Sequence, residues 1–169
     1  MPTVYDITND FRYYEETFAL VPERLNSFEK PLDLEWQCVK FREENKSLVS
    51  PKKGVYAFVI KGGSDGLPPH GYILYVGISR KRKRSIYLRT RYGEYIKEQQ
   101  RIENGKEAER SQIGDMLFRW RHAMYFYYCA IDSDDVDLED LERKLNDALV
   151  PPISTQDFTA SVRKAKRAW

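Results

Sequence analysis

Residues 54–77 read GVYAFVI (54–60), KGGSDGLPPHG (61–71) and YILYVG (72–77), with Ile78 and Ser79 extending the last run. Two short runs of Val, Ile, Tyr and Phe flank a stretch punctuated by Gly and Pro. That pattern predicts a β-hairpin with a long connection. Apolar residues fill successive as well as alternate positions, so both predicted strands are expected to be covered on both faces. Tyr56 and Tyr75 each stand beside a strand glycine, Gly54 and Gly77. A glycine inside a strand packs nothing itself and often marks a close approach by backbone or ligand. On the residues alone, both tyrosines read as core side chains.

Outward toward the C-terminus, helical spacing runs over 85–100. Leu88, Tyr92, Tyr95 and Gln99 share one face, and Arg91 lies on the neighbouring strip four residues before Tyr95. Arg89 sits on the opposite edge. An arginine beside an apolar stripe can simply lay its stem on the core with its head in water. Gly93, at a cost of about 1 kcal/mol against alanine, points to close packing there. Asn104-Gly105 is a helix stop. A second helix is predicted over 107–121 with Ile113, Leu117 and Trp120 inward, then a third strand over 123–131, AMYFYYCAI. The acidic turn 132–135 reads as capping for a helix over 136–150, closed by Pro151-Pro152. Leu138, Leu141, Leu145, Ala148 and Leu149 make its stripe, and Glu142 is the charged residue nearest to it. A carboxylate on that edge must be ion-paired, hydrogen-bonded or bound to a cation.

Toward the N-terminus, Asn9 or Asp10 is placed as the cap of a helix carrying Phe11, Tyr14 and Phe18. Pro22 fits the first turn of a short helix reaching Phe28. Leu32, Leu34, Trp36 and Cys38 alternate with Asp33, Glu35 and Gln37, as in a half-buried strand. Residues 1–50 carry no catalytic signature and read as a layer packed on the main sheet.

Composition bounds the function. With 169 residues, 41% of them hydrophobic, the chain suits one domain with a real core. It contains no apolar run of membrane-spanning length, and MPTVYDITND lacks the basic and apolar regions of a signal peptide, so a cytoplasmic protein without membrane association is expected. Cys38 and Cys129 then read as buried free thiols. A net charge of +2 leaves nucleic-acid binding to local patches. Two such patches are the run Arg80-Lys81-Arg82-Lys83-Arg84 after the second strand and the tail around Arg163 and Lys164, although either can be a solvated charge run. His70, in the Pro-rich loop, has no second ligand at metal-binding spacing.

Taken together, Gly54-Val55-Tyr56, Tyr75-Val76-Gly77, Arg91 followed four residues later by Tyr95, and Glu142 ahead of Pro151 resemble the motifs of the GIY-YIG nuclease family, in order and on the expected elements. The resemblance covers about residues 52–155. It implies a metal-dependent endonuclease that hydrolyses phosphodiester bonds in DNA, with RNA left open. It also implies roles. Glu142 would hold a single Mg²⁺ or Mn²⁺, and Arg91 would supply charged donors to the phosphate. Tyr56 would be the general base, with Tyr75 and Tyr95 positioning water or sharing its proton. Ser154 stands where the family commonly carries an asparagine and is placed with the nucleic-acid contacts. The hairpin connection is longer than is usual in the family.

The expectation is therefore an α+β chain, a small, largely antiparallel three-stranded sheet flanked by helices. Residues 1–50 form an N-terminal elaboration, 51–155 the nuclease-like core and 156–169 a basic tail. A restriction-like or mobile-element-derived enzyme fits best, with specificity residing in the domain, its N-terminal third or a homodimer. The rivals are a catalytically silent nucleic-acid-binding module of the same fold and a protein-interaction domain whose tyrosines are core.

Overall fold

The computed structural model describes residues 2–30, 32–62, 68, 70–79, 87–109, 111–155 and 157–168. The run Arg80–Arg84, the start of the helix predicted at Ser85 and part of the hairpin connection lie outside the described residues. The predicted hairpin forms, from β2 (Gly54–Ile60) and β3 (Tyr72–Ser79). β4 (Met124–Ala130) pairs with the other side of β2. The sheet has four strands where three are predicted, because β1 (Gln37–Lys40) adds to the far side of β4. The order is β1-β4-β2-β3, and every pairing is antiparallel. Only the end of the alternating stretch 32–38 becomes strand; Leu32 and Leu34 use their apolar side chains to pack beneath the sheet.

Helices lie on both faces, which is why β2 is apolar at every position. One face carries Tyr56, Phe58 and Phe126 against α3 (Leu88–Glu103) and α4 (Ser111–Arg119). The other carries Val55, Ala57 and Val59 against α5 (Leu138–Leu149). Sequence signals set the helix ends. Asn104 is the C-cap of α3, and Gly105 follows at φ 74°, the left-handed conformation a glycine adopts without strain. Asp137 caps α5, its carboxylate accepting from the N–H groups of Glu139 and Asp140. The acidic turn before it does other work: Asp132 and Asp134 pair with Lys52 and Lys53.

Three sequence readings need correction. The first helix, α1 (Val4–Tyr13), begins at a Thr3/Asp6 capping box, because that reciprocal pair satisfies two N-terminal donors where Asn9 would satisfy one; Phe18 falls outside it. The short helix α2 (Pro22–Asn26) does start on its proline. Cys38 is exposed on β1 and only Cys129 is buried, both as free thiols. The basic tail is not merely solvated, for Ala160–Ala168 forms a helix, α6, with Val162 packed on Phe158 and Val150. Among the described residues no helix is long and apolar enough to cross a membrane.

At Gly54 β2 meets β4 with no room for a side chain: a Cβ there would lie 2.0 Å from the Cys129 carbonyl oxygen. Backbone cannot yield as a flexible side chain can. Gly54→Ala is expected to cost at least the ~3 kcal/mol at the upper end of ordinary overpacking. Urea unfolding of the two proteins checks this, and a loss under about 1 kcal/mol would mean the strands separate without penalty.

Candidate active site

Four elements bring the site together. The register sets Tyr56 of β2 opposite Gly77 and Phe58 opposite Tyr75, so both tyrosines lie on the α3 face. Next to Tyr75 the pairing slips, with Val59 opposite Ile73 and Leu74 left over. Leu74 and Tyr75 in consequence both turn toward the α3 face, while Ile73 and Val76 turn toward α5. A bulge re-aims side chains in this way, and here it gives Tyr75 its orientation. From above, α3 lowers Tyr95 and Arg91, one turn apart, onto the same spot.

The Tyr56 and Tyr95 hydroxyls are 2.8 Å apart. Tyr95 also hydrogen-bonds Tyr75, so the three phenols form a chain with Tyr95 in the middle. Gly77 makes room for it. A Cβ at 77 would stand 2.6 Å from the Tyr56 hydroxyl oxygen and 2.9 Å from the Tyr75 ring. Tyr56 is 2% exposed, its ring stacked on Phe126 at 5.1 Å. Burial, then the neighbouring tyrosines, push its pKa well above the ordinary value despite the opposing charge of Arg91. Tyr75 is only half-buried. Its pKa is also raised, by burial first and then by Tyr95 and by the negative charges of Glu142 and Asp157. Both hydroxyls are held protonated, and the resting environment opposes the role of free phenolate base that the resemblance implies for Tyr56.

The two arginines of α3 separate cleanly. Arg89 is a structural clamp: its guanidinium donates to the carbonyls of Val49 and Ser47 at 2.8 and 2.9 Å. Arg91 faces the tyrosines, which favour its charged form even against burial. Its terminal nitrogen meets Glu94 at 2.7 Å, while its buried Nε has no partner among the described residues. Glu94 is 45% exposed on its side chain. Such an ion pair is worth about 0–1 kcal/mol, so an anion can replace it at small cost.

Glu142 is half-buried on α5, which packs against β3 and β2, and its charge reaches Tyr75. No group of three or more His, Cys, Asp or Glu side chains converges among the described residues. Fewer than three such ligands do not make a zinc or calcium cage. A carboxylate at this position would suit Mg²⁺ or Mn²⁺, which keep several waters and take other oxygens from a phosphate.

Tyr75 also opens onto a cleft of about 410 Å³ lined by Ser111, Gln112, Ile113, Ile153, Thr155 and Asp157. The segment after α5 forms one wall, and spacing alone gave no sign of it. Val150 closes α5 at φ 43°, and the chain turns back so that the Ile153 N–H bonds the Leu74 carbonyl at 3.0 Å. Ser154, 1% exposed, accepts from the Val76 N–H at 3.4 Å. It thus supports β3 from within and is not presented to a ligand. Of the expected tail contacts, Arg163 donates to the Phe158 carbonyl and Lys164 is exposed on α6. Comparisons of the chain with protein-family models, with curated proteins and with solved structures returned no match.

The phenols give stability a definite pH dependence. A group whose folded pKa lies above its unfolded value stabilises the fold fully below the unfolded pKa, near 10 for tyrosine, and loses that contribution as pH rises. Tyr56 and Tyr75 are raised, and Tyr92, whose hydroxyl donates to the Arg42 carbonyl at 2.6 Å, is pushed up to about 12. The melting temperature is expected to hold to about pH 10 and then fall steeply, while absorbance near 295 nm shows these phenols ionising only with unfolding. Gly77→Ala should separate Tyr56 from Tyr95 and lower both the melting temperature and that ionisation threshold. Early ionisation of the buried phenols in the native wild type would refute the buried chain.

Proposed function

We propose that this protein is a metal-dependent endonuclease of the GIY-YIG type that hydrolyses phosphodiester bonds in DNA. The observation that carries the reading is the convergence of Tyr56, Tyr75, Arg91 and Tyr95, from three separate elements, around one 2.8 Å hydroxyl contact. These are four of the five residues that the resemblance implies, and Glu142 acts electrostatically on one of them.

Within this reading each side chain has a task. Arg91 releases Glu94 and grips the scissile phosphate with fixed, permanently charged donors. Tyr75, the most open of the three phenols, orients the attacking water. Tyr95 and Tyr56 pass its proton along their hydrogen-bonded chain, which suits groups kept protonated better than a phenolate role does. Glu142 would hold Mg²⁺ or Mn²⁺, whose chemistry is to neutralise charge on the phosphate and the leaving oxygen. One site per chain cuts one strand, so a homodimer is the species expected to cut duplexes in a restriction-like or mobile-element setting.

A silent nucleic-acid-binding module is the second reading, favoured by the raised pKa values of Tyr56 and Tyr75. Supercoiled plasmid incubated with Mg²⁺, against an EDTA control and an RNA substrate, separates the two. Metal-dependent nicking of DNA supports the nuclease, and a shifted but intact plasmid supports the module.

The variants sharpen this test. Arg91→Ala should slow single-turnover cleavage by an amount corresponding to about 3 kcal/mol of lost transition-state stabilisation. Arg89→Ala should lower the melting temperature yet leave the rate per folded molecule unchanged, because its bonds go to Ser47 and Val49. Glu142→Gln should keep the fold and DNA binding in EDTA but cut cleavage by orders of magnitude. If Glu142→Gln instead melts early and cuts at the wild-type rate, Glu142 is a structural carboxylate.

A further inference from the structure

On the face of the sheet opposite the phenol chain, α5 covers β2 and β3. The β1–β4 half of that face is built differently. Cys38 stands opposite Tyr127 and Lys40 opposite Tyr125, and antiparallel partners share a face. Tyr125 and Tyr127 are only half-buried, Cys38 is exposed, and Trp36, just before β1, is 38% exposed.

Two lysines reach over these rings. Lys61 donates to the Tyr127 hydroxyl at 2.7 Å, with its ammonium 5.2 and 5.3 Å from the centroids of Tyr125 and Tyr127. Lys40 lies 5.9 Å from the Tyr125 centroid. Neither lysine pairs with a carboxylate among the described residues. Glu35 lies at the Cys129 end of this face.

We infer that Lys40, Lys61, Tyr125 and Tyr127 form a binding platform for single-stranded nucleic acid. Two cations without a carboxylate partner among the described residues match a phosphate backbone, and as their ammonium groups turn to phosphate the half-open rings beneath give bases a stacking surface that tolerates any sequence. Spacing argues for a single strand over a duplex. Residues two apart on a strand are separated by about 6.8 Å, twice the roughly 3.4 Å per nucleotide of a duplex strand. Rings so spaced suit bases drawn out of their stack. An acidic peptide would use the lysines but has no need of the rings. The platform requires no catalysis and is separate from the nuclease reading.

The test is fluorescence anisotropy of a labelled 20-nucleotide oligothymidylate, and of a duplex of equal length, in EDTA. Two variants are compared with wild type: Lys40→Gln with Lys61→Gln, and Tyr125→Leu, each checked for an unchanged melting temperature. Losing one stacking ring should weaken single-strand binding about tenfold, with less than a twofold effect on the duplex. The double lysine variant should make the single-strand salt dependence shallower by about 1.4, two phosphate contacts at about 0.7 each. Unchanged single-strand affinity, or equal losses on both substrates, would overturn the platform. So would polyglutamate that displaces the oligonucleotide from wild type while the ring variant binds normally, since that result assigns the face to acidic peptides. Plasmid cleavage by the same variants should stay at the wild-type rate, which separates this inference from the active-site reading.

Discussion

A hydrogen bond between two buried phenols constrains the rest of the molecule. Taking the Tyr56 hydroxyl out of water costs free energy that only a partner can offset. The partner, Tyr95, must arrive from a helix crossing above the sheet. That crossing seals one face of β2, and α5 seals the other, so β2 is apolar throughout. Gly77 then becomes obligatory, because the Tyr56 hydroxyl occupies the volume a side chain would need. The conspicuous glycines of this hairpin are thus places where something else comes close: a backbone at Gly54, a phenol at Gly77. A phenol used this way contributes to the core through its ring and ties sheet to helix through its oxygen. The core reading drawn from the residues alone holds at Tyr56, and the hydroxyl contact is what that reading lacks.

Much of the site was legible because its geometry is periodic. The strand pairing follows from two apolar runs around a Gly/Pro connection, and Arg91 with Tyr95 follows from helical spacing. The same spacing set Arg89 apart, and its bonds to Ser47 and Val49 bear out that it faces elsewhere. What was not legible depends on events without a period. The bulge at Leu74 turns two consecutive residues to one face and appears only in the register with β2. β1 joins the sheet through a partner about ninety residues away in sequence, and its alternating stretch also suits the packing role that Leu32 and Leu34 do take. The role of Asp157 at Tyr75 arises from a chain reversal after α5 that begins at a left-handed valine, a conformation no propensity favours.

That reversal solves a problem inherent in the sheet order. β3 is an edge strand, and unpaired edge groups invite pairing with other chains. Residues 153–154 cover it, with Ile153 bonded to Leu74 and Ser154 to Val76. The covering segment is itself fastened by α6. Lys166 donates to the carbonyls of Pro151, Pro152 and Ser154 at 2.5, 3.2 and 2.6 Å, with its ammonium over the Phe158 ring. Burial pushes its pKa down to about 8, whereas three carbonyl acceptors favour the charged form. A tail that reads as a polyanion contact is therefore divided, with Lys166 turned inward as a fastener and Lys164 left in solvent.

The position of the candidate site follows from this arrangement. Beneath α3, α4 and α5 the sheet is closed and the strap pairs the β3 edge, so on this side of the molecule the margin where strap and helix meet stays open. Tyr75 stands at that margin, on the bulge, between the N-terminal end of α4 and Asp157. From there its hydroxyl connects inward through Tyr95 to Tyr56 and feels the charge of Glu142 from the opposite layer. Positive charge is supplied by Arg91, which among the described residues pairs with the exposed Glu94. Negative groups therefore lie on the strap and α5 side, and the replaceable cation lies on α3. In the nuclease reading proposed above, the guanidinium would attract a phosphate and Glu142, across Tyr75, a metal ion. The phenols lie between these two charges, with Tyr75 at the half-open end that feels Glu142 and Tyr56 at the buried end that feels Arg91.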